Sequence, residues 1–117
     1  MNYNFHLLNK TQRVNSYVTK LLVNYPKSSY VLKNNIEKTM YEMMENIFAY
    51  NINDTMRIKQ KFLKDFLVKL AMFDYYSHIS YENKYITKRH YEVIGRSILE
   101  IKKISFGLLK NDKETEV

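Results

Sequence analysis

Apolar residues recur along this chain at three- and four-residue steps, and that pattern predicts helices. Val14, Val18, Leu21 and Tyr25 form the first stripe, and Leu32, Ile36, Met40, Met43 and Ile47 the second, widened by Met44 and Phe48. Ile58, Phe62, Phe66, Leu70 and Phe73 form the third, flanked by Leu63 and Leu67, and Tyr91, Ile94, Ile98, Ile101 and Ile104 the fourth. Each stripe is the buried face of an amphipathic helix. Breaks separate them. Pro26 lacks an amide donor and pushes Tyr25 out of the helical region, leaving Ser28 or Ser29 to cap the second helix. Asn51-Ile52-Asn53-Asp54 is a second break, capped by Asn53 or Asp54, and 83–87 a third, with Thr87 as cap. The expected helices are about 3–24, 29–51, 54–82 and 87–108. Gly107 stands near the last end, before a polar C-terminal tail over 111–117. Short connections make sequential helices antiparallel, so the expected fold is all-α: an up-down-up-down four-helix bundle over 1–110, shaped as a rod.

Composition narrows the alternatives. In 117 residues there are two glycines, one proline and no cysteine, too little turn chemistry for a sandwich, barrel or doubly wound sheet. The absence of cysteine removes disulfides and zinc-thiolate sites, which points to a reducing cytoplasm. No apolar run approaches the roughly 20 residues of a membrane span. Catalysis finds little support, because His6, His78 and His90 lie apart, none within the Glu-x-x-His pairs of a di-iron bundle, and no glycine loop cradles a phosphate. No metal or cofactor is therefore expected. Met40, Met43 and Met44 read as core fillers.

Charge changes the picture. Nineteen basic against twelve acidic residues give +7, and the excess is concentrated in the first and last helices. Residues 1–25 hold three bases and no acid, and residues 86–110 hold six against two. Arg89, Arg96, Lys103 and Lys110 repeat every seven residues, one row with steps of about 10.5 Å. Such a row suits a phosphate backbone, a solvated face in which Glu92 and Glu100 pair with Arg96, or a subunit contact. Lys10, Arg13 and Lys20, with no acid nearby in sequence, extend the candidate patch. The eleven tyrosines can stack on unpaired bases, but Tyr75, Tyr76, Tyr81, Tyr85 and Tyr91 fall where helix ends, bundle rims and subunit contacts are expected.

Three stretches carry a family resemblance. They are Phe73-Asp74-Tyr75-Tyr76, then Tyr81-Glu82-Asn83-Lys84-Tyr85-Ile86-Thr87-Lys88-Arg89-His90-Tyr91, then Glu100-Ile101-Lys102-Lys103-Ile104-Ser105-Phe106-Gly107-Leu108-Leu109-Lys110. With Tyr25-Pro26-Lys27-Ser28 and the segment 36–49, they resemble the accessory variability determinants of diversity-generating retroelements, over about Val14 to Lys110. The chain departs from that pattern at Leu108, where the family usually has tryptophan. The resemblance implies a non-enzymatic four-helix bundle that forms a homopentamer with a basic surface. It also implies binding to nucleic acid, RNA or DNA, and to the element's reverse transcriptase in support of mutagenic retrohoming. Tyr85, Tyr91, Phe106 and Leu108 are then expected at subunit contacts. The alternative is the related ribosomal intervening-sequence branch, acting as a structural or oligomeric scaffold.

Overall fold

The computed structural model describes residues 4–116, with side chains as far as Asn111. Four helices, α1 (Phe5–Leu22), α2 (Tyr30–Ile52), α3 (Met56–Glu82) and α4 (Lys88–Glu116), account for nearly all of it. A short 3-10 turn, Lys27–Ser29, leads into α2. Among the described residues the helices pack in a closed ring, α1 on α2, α2 on α3, α3 on α4 and α4 on α1, with the backbones of diagonal helices held apart by the core between them. Overall extents are 50 × 22 × 18 Å. No helix among the described residues is long and apolar enough to cross a membrane.

The predicted stripes meet at the axis. Val14, Val18, Ile36, Met40, Met43, Ile47, Leu63, Phe66, Leu70, Phe73, Ile94, Ile98 and Ile101 are buried, together with Leu7, Tyr50 and Ile86. The stripe positions at the margins turn outward, because a helical face is narrower than its run of apolar letters. Ile58 is exposed and so is Phe48, which was expected to widen the core face. Partner residues run in opposite order across the α1–α2 and α2–α3 seams. Asn4 meets Asn51 and Asn15 meets Met40 between α1 and α2. Lys59 meets Tyr50 and Lys69 meets Glu42 between α2 and α3.

Several helix ends differ from expectation. Asn51 does not break α2, which runs to Ile52. Asn51 is wholly buried, and its Oδ1 accepts the Asn4 backbone N–H at 2.8 Å. Asn4 in turn caps α1, accepting from the Leu7 N–H at 2.8 Å. Ser29 occupies the cap position of α2 as expected, but without a side-chain cap bond, since its hydroxyl donates to the Pro26 carbonyl at 2.7 Å. Asn53 closes the preceding helix by donating to the Ala49 carbonyl, and Thr55 occupies the cap position of α3 without a side-chain bond. Gly107 ends nothing: α4 continues through it and through the expected tail to Glu116, and neither glycine takes a left-handed backbone. A mid-helix glycine costs only about 1 kcal/mol relative to alanine, which the rest of α4 absorbs. The expected helical start at residue 3, and Val117, lie outside the described residues.

The α3–α4 connection is the most fully specified. The Tyr85 N–H donates to the Ser80 carbonyl and the Lys84 N–H to that of Tyr81, the paired bonds of a Schellman terminus. Lys84 sits at the left-handed position with φ 64°, where glycine is the usual residue. Thr87 caps α4 as expected. Its hydroxyl accepts the His90 N–H at 3.1 Å, while His90 Nδ1 accepts the Thr87 N–H at 3.2 Å. Lys84→Gly removes the side-chain strain and stabilises the protein by about 0.5–1 kcal/mol, a rise of roughly 2–4 °C in the thermal midpoint. An unchanged or lower midpoint by calorimetry would contradict this account of the turn.

Candidate nucleic-acid interface

Two contacts fix how α1 lies along α4. Lys10 Nζ and Glu100 Oε2 form an ion pair at 2.9 Å. About two turns further along α1, the Tyr17 ring meets His90 edge-on, with centroids 6.1 Å apart. Three residues beyond Lys10 is Arg13, and four residues back from Glu100 is Arg96, so this register sets the two arginines level across the seam. By the same count Lys20 is level with Arg89. All four are exposed. Each pair is separated from the other by seven residues on its own helix, about 10.5 Å, and packed helices lie about 8–10 Å apart. By this register the four exposed cations mark the corners of a rectangle of helix levels across α1 and α4.

None of the four forms an ion pair among the described residues, and exposed Glu92 stands between Arg89 and Arg96 on α4. Glu100 and Glu92 do not pair with Arg96, contrary to the local i,i+4 expectation; Glu100 reaches across to Lys10. That choice follows from geometry, because a partner on the neighbouring helix is held in place by packing. The hydrogen bond and charge of Lys10 hold the Glu100 carboxyl below its usual range. A lowered carboxylate pKa contributes stability that is present above the ordinary carboxylate range and fades as pH falls through the lowered value. Lys10→Gln therefore flattens that part of the stability–pH profile on the acid side, measured by thermal melts in a pH series; an unaltered profile would remove the pair's role.

The seven proposed binding residues thus separate. Arg13 and Arg96, and Lys20 and Arg89, stand exposed at matched levels along α1 and α4. Lys10 stands beside them but is already engaged by Glu100. Lys103 continues the exposed row, and Lys110 lies further still along α4, past the level at which α1 begins. A shallow depression on the α1 surface, lined in part by Arg13, Ser16, Tyr17 and Lys20, adjoins the rectangle.

The tyrosines behave differently from a row of free stacking platforms. Tyr91 lies flat on Tyr81, with centroids 4.6 Å apart and planes 2° from parallel, and its hydroxyl shares a 3.2 Å hydrogen bond with His78 Nδ1. His78 Nε2 pairs in turn with Glu82. Tyr85 packs against Tyr25 at 5.3 Å, where burial pushes the Tyr25 phenol above its usual range. Of the four expected subunit-contact residues, Tyr85, Tyr91 and Leu108 are half-buried within their own chain, and Phe106 alone is exposed. Sequence reasoning missed another exposed apolar run. Val68, Met72 and Tyr75 line the outer face of α3 at i, i+4 and i+7, and Leu99 is exposed on α4. It also missed Lys59, which is buried, donates to the Tyr50 carbonyl at 2.7 Å and sits 4.1 Å over that ring. A lysine one turn into an apolar stripe was the available signal.

Among the described residues no three His, Asp or Glu side chains are grouped to hold a metal. Compared with models of known families, with characterised proteins and with solved structures, the chain matches none. The retroelement family thus remains a resemblance, carried by the residues quoted for it.

Proposed function

We propose that this protein is a non-enzymatic, nucleic-acid-binding accessory subunit of a diversity-generating retroelement. In this reading it is an antiparallel, up-down-up-down bundle, and it binds the element's RNA or DNA together with its reverse transcriptase. The observation that carries it is the exposed rectangle of Arg13, Lys20, Arg89 and Arg96, four cations with no ion-pair partner among the described residues. Such a surface takes up phosphates by releasing counterions. The opposite order of partners across the α1–α2 and α2–α3 seams supports the antiparallel course. The outer face of α3 supports self-association, since Val68, Met72 and Tyr75 are exposed in one stripe. The resemblance implies a homopentamer, with contacts at Tyr85, Tyr91, Phe106 and Leu108.

The test is binding of single-stranded RNA and DNA oligonucleotides across a salt series, with the oligomer's mass measured in parallel by light scattering. Affinity is expected to fall steeply with salt, and the mass to be five times the 14.2 kDa chain. Co-expression with a reverse transcriptase encoded beside this protein is expected to give a stable complex. Absence of binding at low salt overturns the nucleic-acid role. If a stable oligomer persists in that case, the scaffold reading replaces it, and the apolar face of α3 is the observation in its favour.

A further inference from the structure

The seam on the other side of α1 has opposite character. Between α1 and α2 runs an open groove of about 730 Å³, extending from Leu8 to Val23 along α1. Its two walls differ chemically. The α1 side presents Gln12, Ser16 and Thr19 between Leu8 at one end and Leu22 and Val23 at the other, and the α2 wall presents Tyr41, Met44 and Phe48. Tyr41 is 77% exposed and Phe48 44%, so both rings offer apolar surface to a partner. Lys20 and Lys33 line the end formed by the C-terminal part of α1 and the N-terminal part of α2. α1 carries no acid at all, and Glu37 is the one acid lining the groove.

We infer that this groove is a docking site for an amphipathic, acidic helix of a partner protein. The stretch of α1 that borders it, from Leu8 to Leu22, spans about 22 Å, so an occupant helix of about 15 residues matches its length. Such a helix would set its apolar stripe on the α2 wall, where Met44 offers an adaptable thioether surface and the two rings supply area. Its polar flank would meet the amides and hydroxyls of the α1 wall. Acidic side chains near one end would face Lys20 and Lys33. Lys20 and Lys33 against the single Glu37 argue for an acidic occupant, and the α1 of a second copy, which carries no acid, would not supply one.

The experiment uses the full chain and a fluorescein-labelled probe peptide of about 15 residues. Leucines at i, i+3, i+4, i+7 and i+11 form its apolar face, and glutamates occupy the flanking positions. Saturable binding by fluorescence anisotropy is expected, at least tenfold tighter than that of the same peptide with lysine in place of glutamate. Tyr41→Ser with Phe48→Ser is expected to weaken binding at least tenfold while circular dichroism and the thermal midpoint stay unchanged, both side chains being exposed. Lys33→Glu tests the charged end without touching the α1–α4 seam, to which Lys20 also belongs, and is expected to weaken the acidic probe at least threefold. Nuclear magnetic resonance shifts should then cluster at Gln12, Ser16, Met44 and Phe48. Equal affinity for the acidic and basic peptides, unchanged binding by the Tyr41/Phe48 variant, or shifts confined to α3 and α4 would overturn the proposal. So would concentration-dependent self-association that the Tyr41/Phe48 variant abolishes, which would make the occupant a second copy. None of these outcomes depends on nucleic-acid binding, so the two readings fail separately.

Discussion

Reversing Arg13, Lys20, Arg89 and Arg96 to glutamate together reduces oligonucleotide affinity by at least about a hundredfold near 0.1 M salt, and flattens its salt dependence. Each phosphate neutralised contributes about 0.7 to 0.9 to the slope of log affinity against log salt, so loss of four contacts lowers its magnitude by roughly three. Lys38→Gln and Lys64→Gln, on the outer faces of α2 and α3, serve as controls and change affinity by no more than about twofold by the same long-range electrostatics. The reversed variant should keep its helical spectrum, because all four side chains are exposed and carry no ion pair among the described residues. A shift in slope no larger than that of the controls would show that the charge acts through the whole protein's field, and would remove the seam as a site.

The largest effect on folding is expected at Phe66. Its ring is fully buried in the core where the four stripes meet, with neighbours Leu63 and Leu70 at 0% exposure. Phe66→Ala removes that transfer free energy and leaves a cavity in a rigid bundle, a loss of about 3–5 kcal/mol. Domains of this size are stable by about 5–15 kcal/mol in total, so the variant is close to the folding threshold. The expected fall in thermal midpoint is about 10–20 °C. Val68→Ala, two residues away in sequence but 62% exposed, should change stability by no more than about 0.5 kcal/mol. Comparable losses for the two would mean that α3 packs in another register.

Particular residues show how far the sequence reaches. The four stripes were readable because a helix repeats every 3.6 residues whatever lies opposite it. Thr87 was readable as a cap because the residues that satisfy it, including His90, are three positions away. Ser29 takes the cap position, but its hydroxyl, like the Asn53 amide, donates to a local carbonyl, that of Pro26 or Ala49, instead of accepting a helix N–H, and short-range rules do not rank the two roles. Glu100 was assigned the wrong partner for a related reason: i,i+4 pairing is visible in one helix, whereas Lys10 belongs to another.

The sequence by itself determined that this chain forms helices, where most of them are interrupted, which residues face inward, and that the first and last helices hold its excess positive charge. Those are properties of local periodicity and counting. The tertiary structure alone decided that Arg13 and Lys20 stand level with Arg96 and Arg89, and that Lys10 is engaged by Glu100. It also decided that Lys59 is buried on Tyr50, and that α1 and α2 leave a groove with Tyr41, Met44 and Phe48 on its α2 wall. Each of these depends on the axial register between helices distant in sequence, which is set by the fit of buried side chains around the bundle axis and by no interaction within a single helix.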